Sequence, residues 1–576
     1  MIAFAKSLLL SSRDAKANES TQAKKPPPSY QHVLTLPQQP QTPGKRKIGG
    51  TTNEIEDRPI KKEPGSHTST KRRKINDITP RRTRPSKQLN NAPTQRLDIT
   101  VFGSGENGEL GLGNKSHNNK SPTKANRPRL NHLLNAADIG IVQVAVGSVH
   151  CAALTHDGRV LTWGVNDSRA LGRNTKCEPL AQPDGGVTNL NPLESTPAPA
   201  EGLENLGSDI TQVAATDNAT FVLTRSGLVY GWGTFFGSDG VYGFLREKMR
   251  PKKKSKYKER FQVTPIQIGG LKDIKKLSAG GNHVLALTES GDVYAWGSGQ
   301  QAELGRRLVQ RHQFESLIPR MVDLPRKGIV EAFAGFNHSF AIDKDGQVWT
   351  WGLNNFGQTG LAANEENLHV GTPTVIQGLR GYKIRHMAGG FQHSLACTED
   401  GEVLAWGRCD NSQVGIDVSA LPREHVLCDS RGRPRILLQP TIIPGITATL
   451  VAAGIDNSFA ITPEGKVLTW GYSENCRAGQ GADTTIETPT ELTGKAVSGI
   501  TATLVAAGID NSFAITPEGK VLTWGYSENC RAGQGADTTI ETPTELTGKA
   551  VSGKSFTFAA CRGQFSLIAS PRKSSP

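Results

Sequence analysis

The sequence offers no paired cysteines. Its 8 Cys are scattered over 576 residues without a C-x-x-C, and Cys476 and Cys530 are copies of one position. That spacing holds neither a zinc site nor a disulfide framework and reads as a reduced intracellular chain. Long apolar runs are missing too: no stretch of ~18 apolar residues exists to span a bilayer as a helix. The opening MIAFAKSLLLSSR has only a short apolar portion and no clean cleavage pattern, with Asp14 and Glu19 close behind, so it is not read as a targeting peptide. No Ser/His/Asp, Cys/His or paired-carboxylate constellation presents itself. A covalent active site, a cofactor and a bound metal are therefore not expected. Aromatic residues make up only 6% against 63 Gly, which suits many short strands and turns better than long helices.

Acidic residues are scarce only at one end. Residues 1–97 carry 20 Lys/Arg against 7 Asp/Glu, whereas the remainder carries 47 against 46. The basic, partner-seeking character thus belongs to the N-terminal arm. That arm is rich in Pro, Gln, Ser and Lys and has no sustained apolar period, so residues 1–96 are expected to be disordered. A folded body is expected over 97–570 and a short tail over 571–576.

What the body does have is a repeated phrase. It runs as an apolar strand, A-G-x-x-H, an apolar strand, an X-Gly turn, an apolar strand ending in W-G, and a loop ending in L-G. Examples are VAVGSVHCAALTHDGRVLTWG up to Gly164 and LSAGGNHVLALTESGDVYAWG up to Gly297. Seven of the eight Trp lie in the W-G pairs, and the slot of the phrase's His falls at 150, 219, 283, 338, 393, 457, 511 and 564. A unit of this length with three or four short strands is a propeller blade or a solenoid turn. Asp157-Gly158, Ser290-Gly291 and Glu464-Gly465 supply the positive φ of tight hairpins. The first unit begins in its middle, at ITVFGSGENGELGLG (99–113), and the chain ends on the missing half, FAACRGQFSLIAS (558–570). A blade assembled from both termini removes the open edge, so the expected fold is all-β, a closed β-propeller. Residues 446–499 recur letter for letter as 500–553, one whole unit of 54 residues, which brings the count from seven units to eight.

The four recurring His (His150, His283, His338 and His393) sit in one structural slot on different blades. They are read as hydrogen-bonding ties between strands rather than as metal ligands.

The phrase G-x-x-H…D-G-x-V-x-x-W-G-x-x-x-x-x-x-L-G resembles the regulator of chromosome condensation family over residues 98–570. The resemblance implies a seven-bladed propeller, and eight units in this chain. After Trp232-Gly233 the usual loop is replaced by TFFGSDGVYGFLRE (234–247), similar to the β-wedge with which the chromatin-bound member enters the nucleotide site of the small GTPase Ran. The implied wedge is Phe235, Phe236, Gly237, Ser238, Asp239, Gly240, Val241, Tyr242, Gly243 and Phe244. Val241, Tyr242 and Phe244 are expected to form its stiff apolar body, and Gly237, Gly240 and Gly243 to let the backbone fold tightly. The resemblance further implies that the A-G-x-x-H loops face Ran. Asp217 matches a family acid, Asn282 stands where the family has an acid and Gln392 where it has a His. Asp456 and its copy Asp510 are acidic candidates without a family counterpart.

Basic segments complete the reading. Lys45, Arg46 and Lys47, then Lys71, Arg72, Arg73 and Lys74, then Arg81, Arg82 and Arg84 read as an importin-recognised nuclear import signal, and such an arm also binds DNA phosphates. REKMRPKKKSKYKER (246–260) follows the wedge directly. RRLVQRHQFESLIPR (306–320) sits where the family has a loop that meets the acidic patch of nucleosomal histones, which makes Arg306, Arg307 and Arg311 candidate nucleosome contacts. Thr79-Pro80 and Ser570-Pro571 resemble proline-directed kinase sites. The function implied is nucleotide exchange on Ran by a monomer bound to chromatin in the nucleus, with no membrane partner. The alternative is a non-catalytic propeller scaffold of the same superfamily in another pathway.

Overall fold

The computed structural model describes residues 88–177, 188–238, 240–249, 260–363, 368–481, 483–494, 499–508 and 511–572. Nearly all regular structure in this part is antiparallel β-sheet, interrupted by short 3-10 turns and one four-residue helix, Pro192–Ser195. The strands form eight blades, each starting a new meander at an A-G-x-x-H unit. In the third blade Ile274–Ala279 pairs with His283–Thr288, that strand with Val293–Gly297, and that in turn with Arg320–Met321. All six residues of the second strand, HVLALT, are buried. A mid-sheet strand pressed between two neighbouring blades has no solvent face, which is why it reads as continuous apolar sequence. Fourth strands lie at the sheet edge, except in the fifth blade where a further short strand covers theirs, and are more exposed, as in Ile486–Glu491, where no residue of IETPTE is buried.

Two glycine positions carry the meander. Gly291 turns the second strand into the third at φ +84°. Gly297, the Gly of W-G, lies at φ +136°, and a Cβ there would fall 2.5 Å from the Asn282 carbonyl oxygen. The W-G dipeptide recurs because the loop before the second strand crosses directly over this glycine.

Neighbouring blades are tied by one repeated device. Trp351 Nε1 donates to the Glu303 carbonyl of the preceding blade at 2.7 Å, and Ser339 Oγ donates to the same oxygen at 3.2 Å. His283 Nε2 of the preceding blade meets Ser339 Oγ at 2.9 Å. The set returns as Trp406, Ser394 and His338 around the Gln358 carbonyl, and as Trp470, Ser458 and His393 around that of Gln413. Trp232, Thr220 and His150 do the same around Ala170. The recurring His thus tie blade to blade rather than strand to strand within one sheet. Burial holds the His283 imidazole down at about 3 and those of His338 and His393 at about 4, so all three are neutral in the folded chain.

The terminal sheet is assembled from both ends. Phe565–Pro571 pairs with Leu97–Ser104 from Leu97↔Pro571 to Gly103↔Phe565. Phe565, not Gln564, therefore fills the slot expected at 564. A one-residue offset in the Arg562-Gly563 turn moves it. Phe102 and Leu567 share one core with Phe513 and Val521 on one side and with Ile141 and Trp163 on the other. Leu97↔Ile141 pairs this sheet to the next one. Ser570 is fully buried opposite Asp98, so the Ser570-Pro571 kinase site is closed in the folded chain.

The ordered body begins before Leu97. The backbone N–H groups of Leu89 and Asn90 donate to the Arg225 carbonyl, and buried Asn90 donates from its side chain to the carbonyls of Thr224 and Ile274. Residues 88–96 are thus fastened across the second and third blades instead of belonging to the arm.

The two copies fold alike, strand for strand, from Leu450–Ala453 and Leu504–Ala507 to Ile486–Glu491 and Ile540–Glu545. Asn457 and Asn511 replace His in the seam slot and donate to the Arg477 and Arg531 carbonyls of their own copy. The first copy receives the second through Trp524 and Ser512 on the Arg477 carbonyl.

Candidate functional site

The segment after Trp232-Gly233 departs from every other third-to-fourth strand loop. Phe235–Gly237 and Gly240–Gly243 form a separate two-stranded hairpin. Its root is deeply set. Phe235 is 0% and Phe244 2% exposed, their rings stack 5.8 Å apart, and both pack on Phe221. Tyr242, 6% exposed, donates its hydroxyl to the Gln313 carbonyl at 2.5 Å and receives Ser316 Oγ at 3.1 Å. Tyr242 and Phe244 are therefore anchors, not the projecting body expected of them. Aromatic side chains this large are drawn into the interblade core, which leaves Phe236, Gly237, Ser238, Gly240 and Val241 on the outside. Asp239, at the turn, lies outside the described residues.

Polar contacts fix the hairpin's direction. The Phe236 N–H donates to Asn282 Oδ1 at 2.9 Å and the Ser238 N–H to Gln300 Oε1 at 2.6 Å. Arg260 reaches the Val241 carbonyl at 2.5 Å. A Cβ on Gly237 would lie 2.5 Å from Gln300 Oε1, so any larger residue there has to push that side chain aside.

The A-G-x-x-H loops lie side by side on the same ends of the sheets as the hairpin. Ser148 N–H donates to the Asp217 carbonyl, Asp217 N–H to that of Gly281, and Gly281 N–H to that of Phe336. The Phe336 and Phe391 rings meet at 5.2 Å, and the Phe391 N–H donates to the Gly454 carbonyl. Six successive loops thus make one connected rim. Asp217 and Asn282 are buried within it, 7% and 2% exposed, so they build the rim more than they present charge from it. Gln392 and Asp456 are brought together by Arg408, which reaches Gln392 Oε1 at 2.7 Å, Asp456 at 3.3 Å and Asp410 at 2.6 Å. Arg408 was not anticipated; its only mark in the sequence is R-C-D following W-G. Phe336 and Phe391 were also missed, although G-F-x-H recurs at 335–338 and 390–393. Asp510 lies outside the described residues.

The three arginines after Leu304-Gly305 separate into two kinds. Arg306 donates to the carbonyls of Ala295 (2.7 Å), Ser316 and Ile318, and burial brings its guanidinium down to about 10. It pins its own loop and is not a free nucleosome contact. L-G-R occurs earlier at Leu171-Gly172-Arg173, and Arg173 does the same for its blade, donating to the Leu193 and Thr162 carbonyls. That recurrence was the available signal. Arg307 and Arg311 are exposed, beside a Val309 that is 60% exposed. The loop is tied to the hairpin root by the Tyr242–Phe314 ring contact and by Glu315, which bridges Arg246 and Arg320. Among the described residues no group of three or more His, Cys, Asp or Glu is placed to hold a metal ion. The basic arm, with Lys45, Arg46, Lys47, Lys71, Arg72, Arg73, Lys74, Arg81, Arg82 and Arg84, lies outside the described residues, as do Thr79 and residues 250–259.

An antiparallel blade array with a rooted hairpin on a connected loop rim defines a β-blade repeat protein. The RCC1-like domain model matches residues 98–503, and the chain belongs to that family. Protein pim1 of Schizosaccharomyces pombe is 42% identical over 421 residues, 72% of this chain and 74% of that protein. Guanine nucleotide exchange factor SRM1 of Saccharomyces cerevisiae is 36% identical over 72% of this chain and 86% of its own. Among solved structures, that of Prp20p from Saccharomyces cerevisiae, described with its binding properties to Gsp1p and histones, superposes with a TM-score of 0.59. It is 30% identical and the match covers 84% of this chain and 94% of that one.

Proposed function

We propose that this chain is a chromatin-bound guanine-nucleotide exchange factor for the small GTPase Ran, acting through the hairpin at 235–244. Membership of the family and the 36% identity to a relative named as an exchange factor support the reaction class. The observation that carries the mechanism is the hairpin itself: its aromatic root is locked in the core while residues 236–238 and 240–241 stand at the rim. A wedge must be stiff to be useful. If it yielded on contact, the strain would fall on the wedge and not on the nucleotide site. Driven beside the phosphates, it binds the nucleotide-free GTPase better than the loaded one, and linkage then requires that nucleotide affinity fall by the same factor. No bond is made or broken, and the protein needs no cofactor.

The remaining parts follow from this role. The eight blades close into a ring, a reading supported by the shared core of the terminal sheet and by the seam device between successive blades. The arm over 1–87 carries the import signal for importin and holds DNA phosphates, keeping the monomer nuclear and on chromatin. Arg307 and Arg311 offer guanidinium forks to acidic histone surface.

The test is release of a fluorescent GDP analogue from Ran by catalytic amounts of the protein. Wild type accelerates release. A variant with 236–241 replaced by a short Gly/Ser turn, Tyr242 and Phe244 retained, melts as wild type does and releases nothing beyond the spontaneous rate. Undiminished release by that variant removes the hairpin from the mechanism.

A further inference from the structure

The rim carries an apolar feature that the wedge does not explain. Phe391 is 37% exposed, more than any other phenylalanine among the described residues. Phe336, half-buried, lies against it at 5.2 Å with the rings tilted by 53°. Both occupy the second position of G-F-x-H loops, where the earlier loops have Ser148 and Gly281. Within the fold the two rings do no more than bridge these two loops, where the neighbouring loops of the rim are joined by backbone hydrogen bonds. The seam is completed by the His, Ser and Trp of each unit, and the backbone hydrogen bonds along the rim take nothing from the side chains at these two positions.

The pair is continuous with the wedge. The Phe336 ring covers Gly281: a Cβ on that glycine would sit 3.3 Å from the ring edge, and Gly281 N–H donates to the Phe336 carbonyl. The next residue, Asn282, accepts the Phe236 N–H of the hairpin. A partner engaged by residues 236–241 therefore meets Phe336 and Phe391 as the adjoining ground, held at fixed spacing by the same hydrogen bonds. The cation alongside, Arg408, is taken up by Asp410 and Asp456, one guanidinium between two carboxylates. Beside this pair of carboxylates the rim offers aromatic surface. Exposed aromatic rings bordered by paired polar groups are what binding hot spots consist of.

We propose that Phe336 and Phe391 form an apolar anchor on which the GTPase seats beside the wedge, setting its affinity while the hairpin tip sets nucleotide release. This rests on the exchange reading above and commits the anchor to the same partner, because one set of loop contacts positions both.

The test compares F391A, F391L and the double variant F336A/F391A with wild type in initial rates of fluorescent GDP release over a range of Ran concentrations. V330A serves as control: Val330 is 57% exposed and near the start of the first strand, at the far end of the Phe336 blade. F391A is expected to raise KM about tenfold with kcat held, the double variant to raise it further, and F391L to recover part of the loss. The tip replacement gives the opposite split, losing kcat. Because Phe391 is exposed, F391A keeps the test valid even where the double variant melts early. A KM for F391A within twofold of wild type, or an equal rise for V330A, overturns the anchor. If wild type itself releases no nucleotide, the exchange reading fails instead, so the two failures are told apart.

Discussion

Trp351 donates its indole N–H to the Glu303 carbonyl at 2.7 Å across the seam between two blades, while Trp296, one unit earlier, has no hydrogen-bond partner for its Nε1 among the described residues. The acceptor for Trp296 would come from the loop after Trp232-Gly233, where the hairpin stands instead. Its indole edge rests on Phe221 at 5.7 Å. The wedge has replaced a polar tie with an aromatic cluster.

Trp351→Phe and Trp296→Phe remove similar volume, but only the first removes a buried hydrogen bond. Trp351→Phe is expected to cost about 1 kcal/mol more than Trp296→Phe. Midpoints of urea unfolding, with unchanged m-values, check the difference. Equal losses would mean that the indole N–H contributes nothing to the seam.

The two kinds of arginine at 306–311 are expected to behave differently. Arg306→Ala leaves the Ala295, Ser316 and Ile318 carbonyls without their donor and should lower stability by about 1–3 kcal/mol. Arg307→Ala/Arg311→Ala should leave the melting temperature within a degree or two and weaken binding to histone dimers. A melting scan and a histone pull-down at fixed salt separate these outcomes. Loss of histone binding with Arg306→Ala alone, at unchanged stability, would reverse the assignment.

The neutral seam histidines tie stability to pH. Their folded values, about 3 for His283 and about 4 for His338 and His393, lie below the ordinary value of 6.5. Above pH 6.5 both folded and unfolded chains hold them neutral, and the full stability is present. As pH falls from 6.5 towards 4 the unfolded chain takes up protons that the folded chain refuses, so stability declines. Glu303 works in the opposite sense, because burial pushes its carboxyl up to about 7 and its folded form gains on acidification. His338→Asn, which installs the residue that both copied units use, isolates the histidine part. The drop in urea midpoint between pH 7 and pH 5 should be smaller in the variant than in wild type. An unchanged drop would remove His338 as a source of the slope.

Deleting 500–553 is expected to give a folded seven-blade chain. The first copy already presents what the second gives to the terminal sheet. Ser566 Oγ would move from the Arg531 carbonyl to that of Arg477, and Lys124 from Asp537 to Asp483. The shortened chain should release nucleotide faster than the duplicated one, since an extra blade turns loops across the ring out of register with the wedge. Initial release rates of the two forms, at matched folded fractions, decide this. Equal rates would show that the partner touches only the blades near the hairpin.

Much of this protein was legible in the sequence because a blade is a local object. Strand, turn and W-G positions are set within some twenty residues by apolar runs, X-Gly turns and one glycine that cannot carry a Cβ. The split terminal blade was readable for the same reason, since each half is a recognisable fragment of the phrase. Side-chain roles that depend on the neighbouring blade were not. Tyr242 and Phe244 look like wedge surface until Phe221, Gln313 and Ser316 are brought against them. Arg306 looks like a free cation until three carbonyls surround it, and Phe391 gives no sign in one dimension that it lies beside Phe336, 55 positions away. Sequence determined the unit, its repetition and its resemblance. Only the packing of one blade on the next decided which aromatic and charged side chains are enclosed and which remain to meet a partner. Burial is a property of the seam, and the seam joins residues from different units.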